Sequence, residues 1–407
     1  MFRTRFLAFL LVVILFFPGY VLASGFVLYN QDAKANGMAN AVTASIDNPS
    51  AIFYNPALLA EQPGFGISIG DTMVMPSRTF TDAATGSKAD LKTTTHHVPS
   101  LFARYSWDRW ALGIGVHAPF GLSADWGRTW MGRYSATFSE LRTTFVTPTI
   151  AYKFNDCISA GFGVSYVYSS LDFQNALPLT PFPDGRAKMT GDGEGAGVNA
   201  GVHIKLPRDY SVAITARSPV QIRYDGTAKF YTPNDPVLKA MIPQLRNTDV
   251  WTRITLPWQI TFGMAKKIDA LTIEADVVYI GWSSIDKYTA RFSDGRPQVS
   301  YIKDWDNAFS FALGADYKWS NSIATQLGYM FDMSPVPRRT MSPELPDADK
   351  HIVTGGLGYT AGPFKANVAY QATFFKKVSS AGNNVGAPTG KYDQFIHMVL
   401  VSFSYSL

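Results

Sequence analysis

Side chains that commonly catalyse reactions or bind metal ions are few in this 407-residue sequence, which has six histidines and one cysteine, Cys157. His96 and His97 are adjacent, so in an extended chain their side chains point to opposite sides, and the other four histidines stand alone. No nucleophile motif accompanies them. No ligand spacing typical of a zinc site is present either. We therefore expect neither an enzyme nor a metal or cofactor site.

Three basic residues suit a different task, the binding of a carboxylate. Arg217, Arg223 and Lys365 fall on the polar side of segments in which polar and apolar residues alternate. A guanidinium group can form two parallel hydrogen bonds with a carboxylate, such as that of a fatty acid. The same cations could instead pair with acidic residues or anchor another part of the chain, and the sequence leaves both roles open.

Apolar residues in two otherwise polar stretches indicate a surface for hydrophobic molecules. After Pro236 such residues recur at helical spacing, which predicts a short helix with one apolar face. The residues of the two stretches are Phe173, Leu177, Leu179 and Phe182, and then Val237, Leu238, Met241 and Leu245. Together they could form a capture groove. The alternative is that they pack only against each other and close their loops.

The elements that must position these residues are β-strands. Apolar residues occupy every second position from Trp110 to Phe120 and again from Ile158 to Tyr168, which is the period of a strand with two different environments. After Pro18 no run approaches the ~18 to 20 apolar residues of a spanning helix. The fourteen segments that alternate in this way lie near 64–75, 97–107, 109–122, 138–154, 157–170, 187–205, 209–225, 250–265, 270–286, 304–318, 321–332, 350–360, 363–375 and 393–407.

The connections between these segments alternate without exception between tight turns and long stretches, as in outer-membrane barrels with short periplasmic turns and long extracellular loops. In hydrocarbon an unpaired backbone group costs several kcal/mol, so a sheet that crosses the membrane must close on itself. We predict an all-β fold, a fourteen-stranded antiparallel transmembrane β-barrel whose polar side faces the lumen. The net charge of +5 is scattered and does not indicate a nucleic-acid partner.

Two segments precede the barrel. Residues 1–23 have a basic start with Arg3 and Arg5, an apolar stretch and a small-residue cleavage site, which predicts a secretory signal peptide and a mature chain that begins at Ser24. Residues 24–63 show no strand period but are rich in apolar side chains, so we expect an N-terminal hatch that plugs the lumen. The alternative is a periplasmic leader. Residues 64–407 form the predicted barrel.

The third strand has an unusual inward side. Gly113, Gly115 and Pro119 share it, and glycine or proline inside a strand often marks a bulge, a bend or a close approach of another segment. Pro119 also lacks a backbone N–H for the hydrogen-bond ladder. These residues either mark an irregularity in the wall or leave room for the hatch.

The sequence resembles the FadL/TodX type of outer-membrane transporters for long-chain fatty acids and hydrocarbons. The resemblance extends over essentially the whole mature chain, with the matching motifs in the same order as in the family. They are Ser24, Gly25, Phe26; Asn55, Pro56, Ala57; Leu256, Pro257; Gly281, Trp282, Ser283; Phe331 to Pro337; and Leu345, Pro346, Asp347. The resemblance implies a fourteen-stranded barrel with a hatch gated by the first two motifs, capture by the third and fourth loops, and a lateral exit at a kink in the third strand.

These observations predict a passive channel for hydrophobic molecules in the outer membrane of a Gram-negative bacterium. Expected partners are a hydrophobic ligand, outer-membrane lipid and lipopolysaccharide, and the barrel-assembly machinery, because the last strand ends on an aromatic residue followed by an outward apolar residue, although with Leu407 where Phe is usual. We expect a monomer. The alternatives are a diffusion porin for polar solutes, which would need an open charged channel, and an outer-membrane lipase.

Overall fold

The computed structural model describes residues 25–243 and 245–407. The predicted signal peptide and Ser24 therefore lie outside the described residues. In the described part of the chain, no helix has the length and hydropathy to span a bilayer.

The described chain forms one closed antiparallel sheet of fourteen barrel strands, five of which are interrupted once, with two further short strands, Lys88–Asp90 and Val378–Ser379, in the loops. The barrel strands are β1 (Gly64–Asp82), β2 (His96–Trp107), β3 (Trp110–His117 and Gly121–Asp125), β4 (Phe138–Lys153), β5 (Ile158–Leu177), β6 (Gly185–Leu206), β7 (Tyr210–Arg217 and Val220–Tyr231), β8 (Thr248–Leu256 and Gln259–Ile268), β9 (Leu271–Ile280 and Lys287–Phe292), β10 (Val299–Ile302 and Ala308–Lys318), β11 (Ile323–Asp332), β12 (Lys350–Ala361), β13 (Phe364–Phe375) and β14 (Gly390–Ser406). The barrel closes because β1 pairs with β14, from Gly66 opposite Ser406 to Asp82 opposite Gly390. The predicted fold is confirmed.

Tight turns join the strands at one end of the barrel and long loops join them at the other. Asp108, Asp269 and Gly362 hold tight turns with positive φ angles of 48°, 53° and 59°. By the general rule for such barrels the tight turns are periplasmic and the loops extracellular. Several strands extend further into the extracellular end than the alternation predicts: β5 continues to Leu177 and β7 to Tyr231, because their backbones stay paired with β6.

The outer face of the barrel carries a band of exposed apolar side chains. Examples are Ile69, Leu112, Phe162, Phe262 and Leu327, which are 57%, 49%, 45%, 49% and 66% exposed. A continuous band of exposed apolar side chains is rare on proteins surrounded by water. The band is the surface that faces lipid in an outer-membrane barrel.

Residues 25–63 lie inside the barrel and form the hatch. It contains two short helices, α1 (Ala33–Gly37) and α2 (Ala51–Tyr54), and a 3-10 helix over Pro56–Glu61. The Asp32 side chain accepts a hydrogen bond from the Ala35 N–H and caps α1, and Asn55 does the same for the 3-10 helix through the Ala57 N–H. These caps satisfy backbone donors at helix starts that are buried in the lumen.

Three interrupted strands exchange their inward and outward sides at the break. In β7, Ile214 is 50% exposed on the lipid side, but Ile222 and Tyr224, beyond the break at Ser218 and Pro219, are 0% and 1% exposed and face the lumen. The side chains of β3 and β8 change sides in the same way. These are Leu112 and Ile114 against Phe120 and Ala124 in β3, and Ile260 and Phe262 against Ile254 and Leu256 in β8.

The exchange corrects one prediction. Arg223 was expected on the lumen side with Arg217, but it lies on the outer face, where it pairs with Asp225 at 2.9 Å and stacks over Trp251 at 4.7 Å. The alternation is not continuous through Ser218 and Pro219, because proline has no N–H to keep the ladder in step. Beyond the break the apolar side turns inward.

Candidate functional site

A cavity of about 460 Å³ occupies the extracellular half of the lumen. This volume is within the range of about 300–1,000 Å³ that is typical of small-molecule sites. The extracellular ends of β4 to β10 and three of the long loops form its walls. The main lining side chains are Leu171, Phe173, Met189, Tyr224, Val250, Trp251, Ile254, Tyr288, Ala290, Tyr301, Ile302, Lys303, Ser342, Glu344, Val385 and Ala387.

The cavity wall is mainly apolar because β7 and β8 have changed sides below it. Tyr224 and Ile254 point inward from these strands, and the ring of Phe173 stacks on that of Tyr288 with centres 6.3 Å apart and planes 5° apart. The Tyr224 hydroxyl group is satisfied by the Ser169 hydroxyl at 2.7 Å. The tyrosine therefore presents mainly its ring to the cavity.

Of the described residues, two with charged side chains line this cavity, and they pair with each other. The Lys303 ammonium group contacts the Glu344 carboxylate and donates a hydrogen bond to the Ser342 Oγ at 2.9 Å. Burial opposes the charge of Lys303, but the adjacent carboxylate outweighs burial and raises the pKa of Lys303 above its ordinary value. Burial likewise opposes the charge of Glu344, and Lys303 lowers the pKa of Glu344. The pair is ionised at neutral pH.

An aromatic cluster surrounds the start of the hatch. Phe26 lies at its centre, with ring centres 5.9 Å from Phe120, 5.0 Å from Trp282 and 5.8 Å from Trp305. Trp282 is fully buried. Gly25, before Phe26, has a positive φ of 47°, and its N–H donates to Asp347 at 2.8 Å. The start of the hatch is thereby held between β3, the break in β9 and a loop.

The wall beside this cluster has an opening between β2 and β3. The two strands pair from Trp107 opposite Trp110 up to Leu101 opposite Val116, and no further. Above this point the second segment of β3 forms a ladder with β4 only, and on its other side the Asp125 carbonyl group accepts a hydrogen bond from the Lys92 N–H at 2.8 Å. Residues 96–100 of β2 consequently have no ladder partner on the β3 side, and the interruption of β3 at residues 118–120 creates the gap.

The hatch fills this opening with its own backbone. Val27 forms a bridge with Phe120, and the Leu28 N–H donates to the Pro119 carbonyl group at 2.8 Å. The Gln31 side chain bonds both the N–H and the carbonyl group of Ala118, at 3.1 and 3.0 Å. A small cavity of about 30 Å³, room for about one water molecule, lies next to Pro119 and Phe120. Residues 27–31 of the hatch therefore occupy the opening, and hydrogen bonds and packing hold them there.

Charged lumen residues below the cavity bind the hatch. Asp276 accepts hydrogen bonds from the backbone N–H groups of Val42 and Thr43, both at 3.1 Å, and Glu274 accepts one from Ala44 at 2.5 Å. Arg217 donates to the Phe53 carbonyl group and stacks over the Phe53 ring at 3.8 Å. Lys365 lies 3.7 Å from Asp47. Lys205 contacts Glu61. Arg104, which the sequence did not single out, donates to the carbonyl groups of Gln62, Pro63 and Gly64.

Glycines in the wall give the hatch room to sit close to the strands. A Cβ atom added at Gly201 would lie 2.2 Å from the Asn55 Oδ1, and one at Gly161 would lie 2.3 Å from the Pro56 carbonyl carbon. The motif of Asn55, Pro56 and Ala57 is therefore pressed against β5 and β6.

Gly113 and Gly115 face the hatch in the same way. Their added Cβ atoms would approach Ile52 to 2.9 and 3.0 Å. Both lie below the opening, in the part of β3 that is paired with β2, whereas Pro119 lies at the opening itself.

The predicted capture residues are only partly brought together. Phe173 lines the cavity, while the other seven do not. A helix forms over Pro236–Met241 as predicted, but it buries Leu238 alone and leaves Val237 and Met241 62% and 65% exposed.

The residues that the sequence did not single out are Tyr224, Ile254, Tyr288, Lys303 and Glu344. The signal that was present for the first two is the proline in β7 and before Trp258 in β8, which marks where the sides exchange. The described residues contain no group of three or more potential ligands that could hold a metal ion.

Known proteins with the same architecture are found by both sequence and structure. The profile of the "Outer membrane protein transport protein (OMPP1/FadL/TodX)" family matches residues 14–405. A "Long-chain fatty acid transport protein" of Escherichia coli O6:H1 is 25% identical, with 83% of each chain covered.

Two crystal structures share the fold. A Pseudomonas aeruginosa FadL homologue has a TM-score of 0.85 at 20% identity, covering 94% of this chain and 100% of its own. The P. putida toluene transporter TodX has a TM-score of 0.77 at 18% identity, covering 92% and 98%. This chain belongs to the OMPP1/FadL/TodX family of outer membrane transport proteins.

Proposed function

We propose that this protein is a passive channel that takes up hydrophobic small molecules, either long-chain fatty acids or aromatic and aliphatic hydrocarbons, and releases them sideways through the wall at β3. The single observation that carries the proposal is the opening between β2 and β3, which lies beside a small cavity at Pro119 and Phe120 and is occupied by residues 27–31 of the hatch. Relatives named for fatty acid and toluene transport support the substrate class.

Lateral release has a thermodynamic reason. Returning an apolar solute to the aqueous periplasm costs about 25 cal/mol for each Å² of apolar surface that water covers again. A solute that leaves through the wall reaches lipid without this cost. The route runs from the cavity, past Phe26 and Phe120, to the gap above Leu101 and Val116. The outer loops would deliver solute to the cavity, Phe173 being the predicted capture residue that lines it.

The same proposal covers the remaining predictions. The protein acts as a transporter without enzymatic activity, and Arg217 and Lys365 hold the hatch in place instead of binding ligand. It works as a monomer embedded in outer-membrane lipid and lipopolysaccharide after insertion by the barrel-assembly machinery. The role of Arg217 and Lys365 in holding the hatch is supported by their contacts with the hatch residues Phe53 and Asp47.

A reversible crosslink tests the exit. In a Cys157→Ser background, Leu28→Cys with Gly121→Cys would tie the hatch to the upper segment of β3, because a Cβ atom at Gly121 lies 4.0 Å from the Leu28 Cγ. We expect whole-cell uptake of a radiolabelled hydrophobic ligand to stop in the oxidised protein and to return after reduction. Ligand binding to the purified protein should be the same in both states.

A second crosslink provides the matched control. Asn55→Cys with Gly201→Cys pins the other end of the hatch, since the Asn55 Cγ lies 3.2 Å from a Cβ atom at Gly201, without touching β3. Uptake should continue when this bond forms. If instead the second crosslink blocks uptake and the first does not, the solute leaves past Asn55 and Pro56 into the periplasm, and the lateral exit is wrong.

A further inference from the structure

The charges that face the cavity cancel each other. Among the described residues that line it, the charged side chains are Lys303 and Glu344, which are 5% and 16% exposed. Lys303 also donates to Ser342 and lies with its ammonium nitrogen 5.2 Å from the centre of the Tyr288 ring. An ammonium group has three donors, and its contacts here come from the protein itself.

Cations elsewhere do not reach the cavity. Arg217 is bound to Phe53 beneath the aromatic cluster, Lys365 is beside Asp47 in the hatch, and Arg223 points away from the lumen toward Asp225. A carboxylate that entered the cavity would therefore find no unpaired cation among the described lining residues. It would instead meet the carboxylate of Glu344.

The energetics of this arrangement favour uncharged ligands. A carboxylate loses its hydration in an apolar cavity and needs a paired cation to compensate. Taking Lys303 from Glu344 would leave Glu344 buried without its partner, which is strongly unfavourable. The volume of about 460 Å³ does not discriminate between the two ligand classes, so charge decides.

We propose that this chain selects uncharged apolar molecules, such as hydrocarbons, esters and alcohols, and discriminates against free carboxylates, with the Lys303–Glu344 ion pair as the element that sets this preference. The inference rests on the proposed uptake function and specifies its substrate class. Glu344 is then a specificity residue: it does not need to touch the ligand, because it acts by neutralising Lys303.

Binding of palmitic acid and of its methyl ester to the purified full-length protein in detergent tests the proposal, since the two ligands differ in charge and little in size. At neutral pH the wild type should bind the ester at least about tenfold more tightly than the acid. Glu344→Gln keeps the shape of the side chain and leaves Lys303 unpaired, so affinity for the acid should rise by about tenfold or more while affinity for the ester stays the same. Glu194→Gln, an exposed residue of β6 that does not line the cavity, is the matched control and should change neither value.

Each other result has a distinct meaning. If the wild type binds the acid as tightly as the ester and Lys303→Gln loses that affinity, then the ligand displaces Glu344 and the proposal is overturned. If neither ligand binds to any variant, the proposed uptake function itself fails. Because the wild-type comparison alone can overturn the inference, it stays testable even if a variant does not fold, and heat-modifiability on gels identifies such variants.

Discussion

The two halves of the lumen are built on opposite principles. In the periplasmic half, polar and charged wall residues face inward and are satisfied by the hatch, as with Asp276 and the N–H groups of Val42 and Thr43. In the extracellular half, side chains with large apolar surfaces, such as Tyr224 and Ile254, face inward and line a cavity of about 460 Å³. One half is filled with protein through hydrogen bonds, while the other is left available for an apolar ligand.

The boundary between the halves coincides with the interruptions of β3, β7 and β8. In a regular strand all residues of one parity face the same side, because the side chains alternate strictly, so residues of one parity cannot face lipid in one half and the lumen in the other. An interruption at residues 118–120, 218–219 or 257–258 allows the exchange of sides. The same interruption in β3 also opens the wall, so one local feature changes the lining of the lumen and creates the candidate exit.

The largest effect should come from removing the acceptors that hold the hatch. In Glu274→Ala with Asp276→Ala, the N–H groups of Val42, Thr43 and Ala44 lose their partners, and each buried unsatisfied donor costs about 1–3 kcal/mol. The barrel should still assemble, while planar-bilayer conductance and sensitivity to bulky antibiotics rise.

The exposed outer-face variant Asp225→Ala is the control for this change. An unaltered conductance in the double variant would show that other contacts, such as those of Arg104, suffice to hold the hatch.

The next largest effect should come from weakening the aromatic cluster around Phe26. Trp282→Ala removes a fully buried side chain that packs on Phe26, and such truncations cost about 3–5 kcal/mol. We expect faster hydrogen exchange at the Leu28 N–H, which bonds to the Pro119 carbonyl group, measured by mass spectrometry of the hatch peptide. The exposed Trp319→Ala is the control, and unchanged exchange in Trp282→Ala would mean that residues 27–31 do not depend on the aromatic cluster.

A smaller effect is expected from charge in the apolar cavity wall. Ile254→Asp places a carboxylate in the lining, at a cost of about 1–3 kcal/mol, and should weaken binding of a neutral hydrophobic ligand about 10- to 100-fold. The neighbouring Thr255→Asp faces outward and should leave binding unchanged. Equal losses in both variants would contradict the exchange of sides in β8.

The smallest effect concerns Asp349, a buried acid in a loop. Unlike Glu274 and Asp276, it accepts no hydrogen bonds from the backbone N–H groups of the hatch. Burial raises the pKa of Asp349 to about 6, so the folded protein binds this proton more tightly than the unfolded chain. Stability should therefore be greatest below the ordinary aspartate pKa and fall as the pH rises toward about 6.

Asp349→Asn removes this dependence. At neutral pH the variant should unfold at a higher temperature than the wild type, as measured by heat-modifiability, and at acidic pH at the same temperature. The gain in the free energy of unfolding should be about 1 kcal/mol or less, because the contact between Lys376 and Asp349 at 3.8 Å is lost as well. A variant less stable than the wild type at neutral pH would show that this contact outweighs the burial cost.

What the sequence determined by itself is local and periodic. The alternation of residues such as Leu112, Ile114 and Phe162 identifies strands with a lipid side, and the alternation of short and long connections indicates a closed barrel with two different ends. Both patterns can be recognised in the sequence because each depends on residues that are close together in the chain. The capped turns of the hatch, such as that at Asn55, are local as well.

Only the tertiary structure decided the composition of the cavity and of the gap. Arg223 lies on the outer face because the strand is interrupted at Ser218 and Pro219 and its inward and outward positions are exchanged beyond them. The alternation in the sequence does not show how many residues such an interruption contains. Lys303 and Glu344 meet across 41 positions of the chain, and Phe26 meets Trp282 across a far longer stretch. Such pairs form because the closed barrel brings distant strands and loops to one place, and this geometry is a property of the whole sheet.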